Sequence, residues 1–266
     1  MAPTTTATTT TTPVTTSVTF SGTVKNIVTG TSVSGATVTV GTVSTTTGTD
    51  GTYSLEVSES GRPSFSVAAS GYHTRESAVT MTGVTTINPE IIPQGDGFDL
   101  NFFDYLFRDN GTQGTARRTS TPTYEIWTRQ FTCLELSTDG YNACVRMQVL
   151  EAEVPAEFET LARDSIAKIG RLTGDACYCS NDLYETGPGH IVYGTQSGLD
   201  RKIHEHEVGH SVGFAHPSPP APTLPTFMYD YPYAITSADE LHGRILYRRP
   251  NGSLTPDRDP AGITIN

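Results

Sequence analysis

The residues best suited to chemistry lie between His206 and His216, where three histidines, one glutamate and a spaced glycine occur together. On an α-helix, positions i and i+4 lie on the same face, so the imidazoles of His206 and His210 can bind one ion. Gly213 tolerates a positive φ, which lets the helix end and the chain bring back His216 as a third ligand. Three protein ligands leave one tetrahedral position open for water, as in a catalytic zinc site.

Glu207 lies next to this face and is placed to reach a metal-bound water rather than the metal. Zinc lowers the pKa of such a water toward about 7. Glu207 would accept its proton as the water attacks a carbonyl, and would pass it to the leaving amine. The sequence thus predicts Zn²⁺ as cofactor. His204 and Glu205 start no second motif, because Val208 stands four residues after His204. We interpret His204 as solvated or as a neighbour of a ligand.

A methionine follows the third histidine at Met228, within Thr226–Tyr231. Its soft, adaptable side chain is suited to packing beneath the imidazoles without binding the metal. The alternative is an ordinary core methionine.

The pattern H-E-x-x-H-x-x-G-x-x-H, completed by Met228, resembles the metzincin zinc endopeptidases at every fixed position. The resemblance implies that Met228 forms the turn beneath the metal. The Met-Tyr pair, the stretch Ser237–Glu240 and the later Leu246-Tyr247 are similar to the end of a matrixin catalytic domain. We therefore describe the chain as matrixin-like.

Other positions leave the metzincin subfamily open. Pro217 resembles the serralysin pattern, and the linker from His216 to Met228 is longer than matrixins use. Astacins and serralysins carry a tyrosine two residues after the methionine, where this chain has Asp230. Tyr231 is the candidate for assisting the oxyanion.

Latency is a further implication of the resemblance. Some metzincins are silenced by a cysteine or aspartate that binds the zinc, and Gly95-Asp96 resembles the aspartate version. Asp96 is therefore a candidate latency residue, and the alternative is that it caps the following helix.

Composition divides the chain into four regions. Residues 1–16 are a threonine-rich disordered spacer, with an O-glycosylated stalk as the alternative. Residues 17–92 read as an all-β sandwich, residues 93–122 as a linker and packing helix, and residues 123–266 as an α+β catalytic domain. The expected catalytic domain has a mixed sheet, a zinc-site helix, the methionine turn and a final helix.

Short alternating runs predict the sandwich: Thr19–Val24, Ala36–Val40 and Tyr53–Val57, with a turn at Thr49–Gly51. About seven strands are expected. The segment resembles carboxypeptidase-regulatory-like, transthyretin-like domains, which usually act as accessory or folding modules. Targeting of substrate is the alternative role.

The elements of the later regions follow from periodicity. Phe98, Phe102, Phe103, Leu106 and Phe107 recur at helical spacing after a Pro/Gly hinge at residues 93–97. Strands are predicted at 124–128, 145–150 and 191–194, and the resemblance implies that the last pairs with extended substrate. A helix is predicted from Glu157 to Ile169, ended by Gly170, and Asp200 is the predicted N-cap of the zinc helix.

Compartment and partners follow from cysteines and charge. Four cysteines fit an oxidising compartment. We favour bridges from Cys133 and Cys144 to Cys177 and Cys179, with free buried thiols as the alternative. Net charge is −11, and no basic stripe suits nucleic acid. No run of eighteen apolar residues suits a membrane span. We expect a secreted monomer whose signal peptide has been removed or omitted.

The sequence therefore predicts a secreted zinc endopeptidase acting on polypeptides. The alternative is a zinc-binding but non-hydrolytic adhesin that carries a β-sandwich module, although the intact Glu207 argues against it. A structural zinc domain is disfavoured, because no fourth Cys or His ligand is nearby.

Overall fold

The computed structural model describes residues 17–82, 85–117, 124, 126, 129–136, 144–173, 199–216, 224–228 and 234–265. These residues form two compact units. The first contains Met1–Pro93 together with Ala261–Asn266, and the second contains Gln94–Pro260. The chain passes from the first unit to the second between Pro93 and Gln94, and back to the first between Pro260 and Ala261.

The first unit is β-rich, with eight short strands among its described residues. They are β1 (Val18–Thr23), β2 (Lys25–Asn26), β3 (Thr37–Val40), β4 (Val43–Thr46), β5 (Thr52–Val57), β6 (Ser64–Ala68), β7 (Arg75–Ala78) and β8 (Glu90–Ile91). An antiparallel sheet has the order β4-β3-β6-β7, β1 pairs antiparallel with β5, and β2 pairs parallel with β8. The three predicted runs correspond to β1, β3 and β5.

Alternation along these strands explains the core of the first unit. In β5, Tyr53, Leu55 and Val57 are buried while the residues between them are exposed. Phe20 and Phe65, on β1 and β6, join the same buried cluster. A period of two places these side chains on one face of each strand, as a layered β-structure requires.

The end of the chain contributes to the first unit. The amide of Ile265 donates to the carbonyl of Ala78 at 2.9 Å, at the end of the edge strand β7. The Ile265 side chain packs against the core cluster. Residues 261–265 therefore complete a unit whose other residues lie far earlier in the sequence.

The second unit is mixed α and β. Its described elements are α1 (Leu100–Phe107), β9 (Arg129–Leu136), β10 (Cys144–Glu153), α2 (Ala156–Thr173), α3 (Arg201–Ser211) and α4 (Ser237–Tyr247). Strands β9 and β10 pair antiparallel, and α2 packs against α3 and α4. None of the helices within the described ranges is long and apolar enough to span a membrane.

Two predicted elements need correction. The prediction of a strand at 124–128 is wrong for Tyr124 and Ile126, which lie in no strand. Strand β9 begins at Arg129. Gly170 does not end α2, which continues to Thr173. Glycine lowers helix propensity by about 1 kcal/mol, which the packing of α2 against α3 and α4 can offset.

Helix α1 buries four residues of the predicted aromatic face, while the fifth, Phe98, precedes the helix. Asp99 caps it by accepting from the amides of Asn101 at 2.9 Å and Phe102 at 3.1 Å. The N-cap interpretation of Asp96 is therefore wrong. Asp96 lies in the preceding turn with a φ of 55°.

A buried ionic segment follows α4. Arg249 forms a bidentate pair with Asp257, with N···O distances of 2.6 and 2.8 Å. Arg108, at the end of α1, donates to the carbonyl of Ser253 at 3.1 Å and to Asp104 at 2.8 Å. Burial lowers the pKa of Arg108, and Asp104 opposes that shift. These bonds connect α1 with residues 249–257.

Candidate metal site

Helix α3 begins after the predicted N-cap Asp200 and ends before Gly213, the predicted turn of the histidine pattern. Asp200, the predicted N-cap, accepts from the amide of Lys202 at 2.9 Å. At the other end, the amide of Phe214 donates to the carbonyl of Gly209 at 3.2 Å, and Gly213 has a φ of 106°. A side chain at Gly213 would also collide, because a Cβ there would lie 2.3 Å from the carbonyl oxygen of Ala116. Only glycine fits this turn.

The turn brings three imidazoles together. Nε2 of His216 lies 2.7 Å from Nε2 of His206 and 3.0 Å from Nε2 of His210. In the described part of the chain, these three residues form the group of His, Cys, Asp or Glu side chains able to hold a metal ion. Zinc ligands at about 2.0–2.1 Å in a tetrahedron lie about 3.3 Å apart, so small rotations would admit the ion.

The other ring nitrogens of two histidines are fixed by backbone carbonyls. Nδ1 of His206 lies 2.9 Å from the oxygen of Phe227, and Nδ1 of His210 lies 2.9 Å from the oxygen of Phe214. A carbonyl can only accept, so both Nδ1 atoms carry the proton and both Nε2 atoms present a lone pair. Metal-binding histidines are usually oriented in this way. The donor set therefore fits zinc.

The electrostatics favour the neutral form of His210. Burial lowers the pKa of His210, and the nearby imidazoles of His216 and His206 act in the same direction. The hydrogen bond to Phe214 and the charge of Glu207 oppose the shift. Because a metal binds the neutral imidazole, the net direction favours binding.

Met228 lies against α3. Phe227 and Met228 are fully buried. A Cβ at Gly209 would lie 2.6 Å from Cε2 of Phe227 and 2.9 Å from Sδ of Met228. The glycine inside the histidine pattern thus lets this turn approach the helix that carries His206 and His210.

Asp239 holds the methionine turn and was not assigned a role from the sequence. Its buried carboxylate accepts from Oγ1 of Thr226 at 2.6 Å, the amide of Phe227 at 3.3 Å and the amide of Thr236 at 2.9 Å. Burial raises the pKa of Asp239, and these hydrogen bonds oppose the rise. Thr236 and Asp239 also form the capping box of α4. The T-x-x-D spacing of Thr236 and Asp239 is the sequence pattern from which this cap could have been predicted.

Glu207 and His204 occupy different environments. Glu207 is partly exposed, next to His206 in α3. His204 is fully buried, with its ring edge-on to Phe158 at 5.1 Å between centroids. The interpretation of His204 as a solvated residue is therefore wrong. Glu205, also buried, pairs with Lys168 at 2.9 Å.

The remaining candidates divide into two groups. Asp96 belongs to the residues that the structure describes, and its side chain is not part of the group formed by the three histidines. Outside the described residues lie Tyr231, Asp230, Pro217, Cys177, Cys179 and the strand predicted at 191–194. The oxyanion, disulfide and substrate-strand hypotheses therefore stay predictions.

His242, which lies on α4, yields a pH prediction. Its Nδ1 donates to Ala238 at 2.7 Å, and its Nε2 accepts from the amide of Asp99 at 2.9 Å. Burial lowers the pKa of His242, and the backbone hydrogen bonds oppose the shift. Below the unfolded value of about 6.5, the unfolded chain binds a proton that the native chain does not. Stability should therefore fall as the pH is lowered from about 7.5 to about 5.5.

Urea unfolding of metal-free protein at both pH values measures this loss. The His242→Gln variant should show a smaller loss than the unsubstituted protein. An equal loss in both proteins would contradict the assignment to His242.

Comparisons with known proteins match only part of the chain. The family called carboxypeptidase regulatory-like domain matches residues 19–91. No curated protein matches the chain significantly. A solved structure of a Bacteroides fragilis protein of unknown function, described as membrane-associated, is 23% identical with a TM-score of 0.24. The match covers 28% of this chain and 27% of that one.

The chain thus spans about a quarter of that solved structure's length, and so low a TM-score supports no conclusion. The family match agrees with the eight short strands around one apolar core. Residues 19–91, which lie in the β-rich first unit, are thus similar to the carboxypeptidase regulatory-like domain family.

Proposed function

We propose that the second unit is a metzincin-type, matrixin-like zinc endopeptidase that hydrolyses polypeptides. The convergence of the three Nε2 atoms of His206, His210 and His216 carries the proposal. Two further observations support it. The Nδ1 bonds to Phe214 and Phe227 orient two of the rings. Also, Met228 is buried against Gly209.

In this proposal, each residue of the site has a defined task. His206, His210 and His216 would hold the zinc. When bound, zinc acidifies a water and polarises the carbonyl under attack. Glu207 accepts a proton from the attacking water and delivers it to the leaving amine. Its partial exposure beside the buried His206 is consistent with a base that must meet both water and substrate.

Location and accessory function belong to the same proposal. Four cysteines support secretion. The carboxypeptidase regulatory-like domain supports an accessory or folding role for the first unit. A non-hydrolytic zinc-binding protein is the rival, and the experiment below distinguishes the two.

Removing Glu207 tests the hypothesis. The protein should bind one zinc ion and cleave casein, whereas Glu207→Ala should keep the zinc and lose about 10²–10⁴-fold in kcat. Glu240→Ala, which removes an exposed carboxylate on α4, is the control and should cleave normally. Zinc is measured by elemental analysis and cleavage by release of labelled peptides.

Three outcomes would contradict or replace this assignment. Absence of zinc from the unsubstituted protein would overturn it, as would equal cleavage by Glu207→Ala. Bound zinc without cleavage across a broad peptide library would favour the non-hydrolytic rival.

A further inference from the structure

The carboxyl end of α1 receives the segment that carries the third histidine. The amide of Ala215 donates to the carbonyl of Leu106 at 3.1 Å. Ala215 stands between Phe214 and His216, so this bond fixes the backbone immediately before His216. Leu106 itself is fully buried, which keeps the acceptor in place.

A line of three aromatic rings continues from α1 into the site. The ring of Phe107 meets that of Phe214 edge-on at 4.8 Å, and the ring of Phe214 meets that of Phe227 edge-on at 5.0 Å. All three side chains are buried. The carbonyls of Phe214 and Phe227 are also the acceptors for Nδ1 of His210 and His206. The line therefore connects α1 to the backbone that orients two of the imidazoles.

The segment after α1 supports the same turn from another direction. The carbonyl of Ala116 lies against Gly213, where a Cβ would approach it to 2.3 Å. Arg117 stacks over the ring of Tyr247 at 5.2 Å, and the hydroxyl of Tyr247 donates to the carbonyl of Val212 at 2.9 Å. Residues 106–117 thus contact or support the chain from 212 to 216.

We propose that α1 is a positioning element of the metal site, and that Phe107 is its principal positioning residue. The inference rests on the proposed zinc-binding function. Phe107 touches neither metal nor substrate; it acts through Phe214 on His210 and His216. The zinc-binding unit then begins at or before α1, and not at residue 123.

A matched pair on α1 tests the proposal. Phe103 and Phe107 are both buried on this helix, and their rings meet edge-on at 5.0 Å. Phe107 also meets Phe214, whereas the other ring contacts of Phe103 are with Phe98, His242 and the Arg108 guanidinium. Phe107→Ala should raise the zinc dissociation constant about 10–100-fold, as loss of groups that orient ligands usually does. Phe103→Ala should change it by less than about 3-fold, although both substitutions lower Tm.

The dissociation constants are measured by competition with a chromophoric chelator, well below the unfolding temperature of every variant. Equal changes in the two variants, or an unchanged constant in Phe107→Ala, would overturn the proposal. If either alanine variant does not fold, Phe107→Leu and Phe103→Leu are compared in the same way and judged by the same difference.

A metal-free readout separates this proposal from the proposed function. Long-range ¹H–¹⁵N spectra report the tautomers of His206 and His210. In Phe107→Ala the single Nδ1–H tautomer of His210 should give way to a mixture, while Phe103→Ala should retain it. Unchanged tautomers in Phe107→Ala would refute the positioning role. Absence of zinc from the unsubstituted protein would refute only the proposed function.

Discussion

Replacing His206 by alanine is expected to lower the affinity for zinc by at least about 100-fold, since even loss of a group that only orients a ligand costs about 10–100-fold. His206 is the most buried of the three histidines, and its two nitrogens face Phe227 and His216. Its loss removes one ligand and leaves the carbonyl of Phe227 without that donor. Peptide hydrolysis should disappear with the zinc.

His204→Ala provides the control on the same helix. His204 is also buried, but it packs on Phe158 and does not converge with the other histidines. This variant should bind zinc with nearly unchanged affinity despite a lower Tm. Chelator competition and elemental analysis measure both variants. Full zinc occupancy in His206→Ala would refute the ligand assignment.

Zinc should also stabilise the unsubstituted protein, because a ligand that binds only the native state adds RT ln(1 + [L]/Kd). At a hundredfold excess over Kd, this amounts to about 2.7 kcal/mol. The His206→Ala variant should show little of this gain when zinc is added.

Replacing Gly213 by alanine should destabilise the second unit by about 2–5 kcal/mol. An L-residue at a φ of 106° is strained, by about 1–2 kcal/mol for the left-handed region. Overpacking against the Ala116 carbonyl adds about 1–3 kcal/mol, because the backbone at residue 213 fixes the Cβ and the oxygen belongs to the backbone, so neither atom can rotate away. The turn that returns His216 would shift, so zinc affinity should fall as well. Urea unfolding and chelator competition measure the two effects.

Gly252→Ala separates strain from collision. Gly252 has a φ of 84° in the same unit, but a Cβ there meets only side-chain atoms of Pro260 at 3.6 Å. This variant should lose only about 1–2 kcal/mol and keep its zinc affinity. Equal losses in Gly213→Ala and Gly252→Ala would show that the contact with Ala116 has no energetic consequence.

The sequence predicted the local geometry of the histidine segment because its information is contained in eleven consecutive residues. The i, i+4 spacing of His206 and His210, the cap at Asp200 and the turn at Gly213 all depend on neighbours in the chain. The chemistry of the site stays a proposal, since it depends on a metal and a substrate.

The supporting contacts could not be predicted, since they join residues distant in sequence. No periodicity in α1 shows that Leu106 accepts from Ala215, or that Phe107 meets Phe214. The role of Asp239 depends likewise on the path of the turn at Thr226.

Local rules failed where packing overrides them. Gly170 satisfies the rule for a helix end, yet α2 continues beyond it. His204 has a polar side chain of a kind that is often exposed. Packing of α2 against α3 nevertheless buries it against Phe158. In both cases a contact with another element outweighs the preference of a single residue.

Because residues 261–265 return to the first unit, that unit cannot form all of its contacts until those residues have been synthesised. Domains usually fold from the amino terminus as the ribosome releases them. Here Ile265, which packs on the first core and donates to Ala78, is synthesised after every residue of the second unit. The contacts of Ile265 with the first unit therefore form only after residues 206–216 have been synthesised.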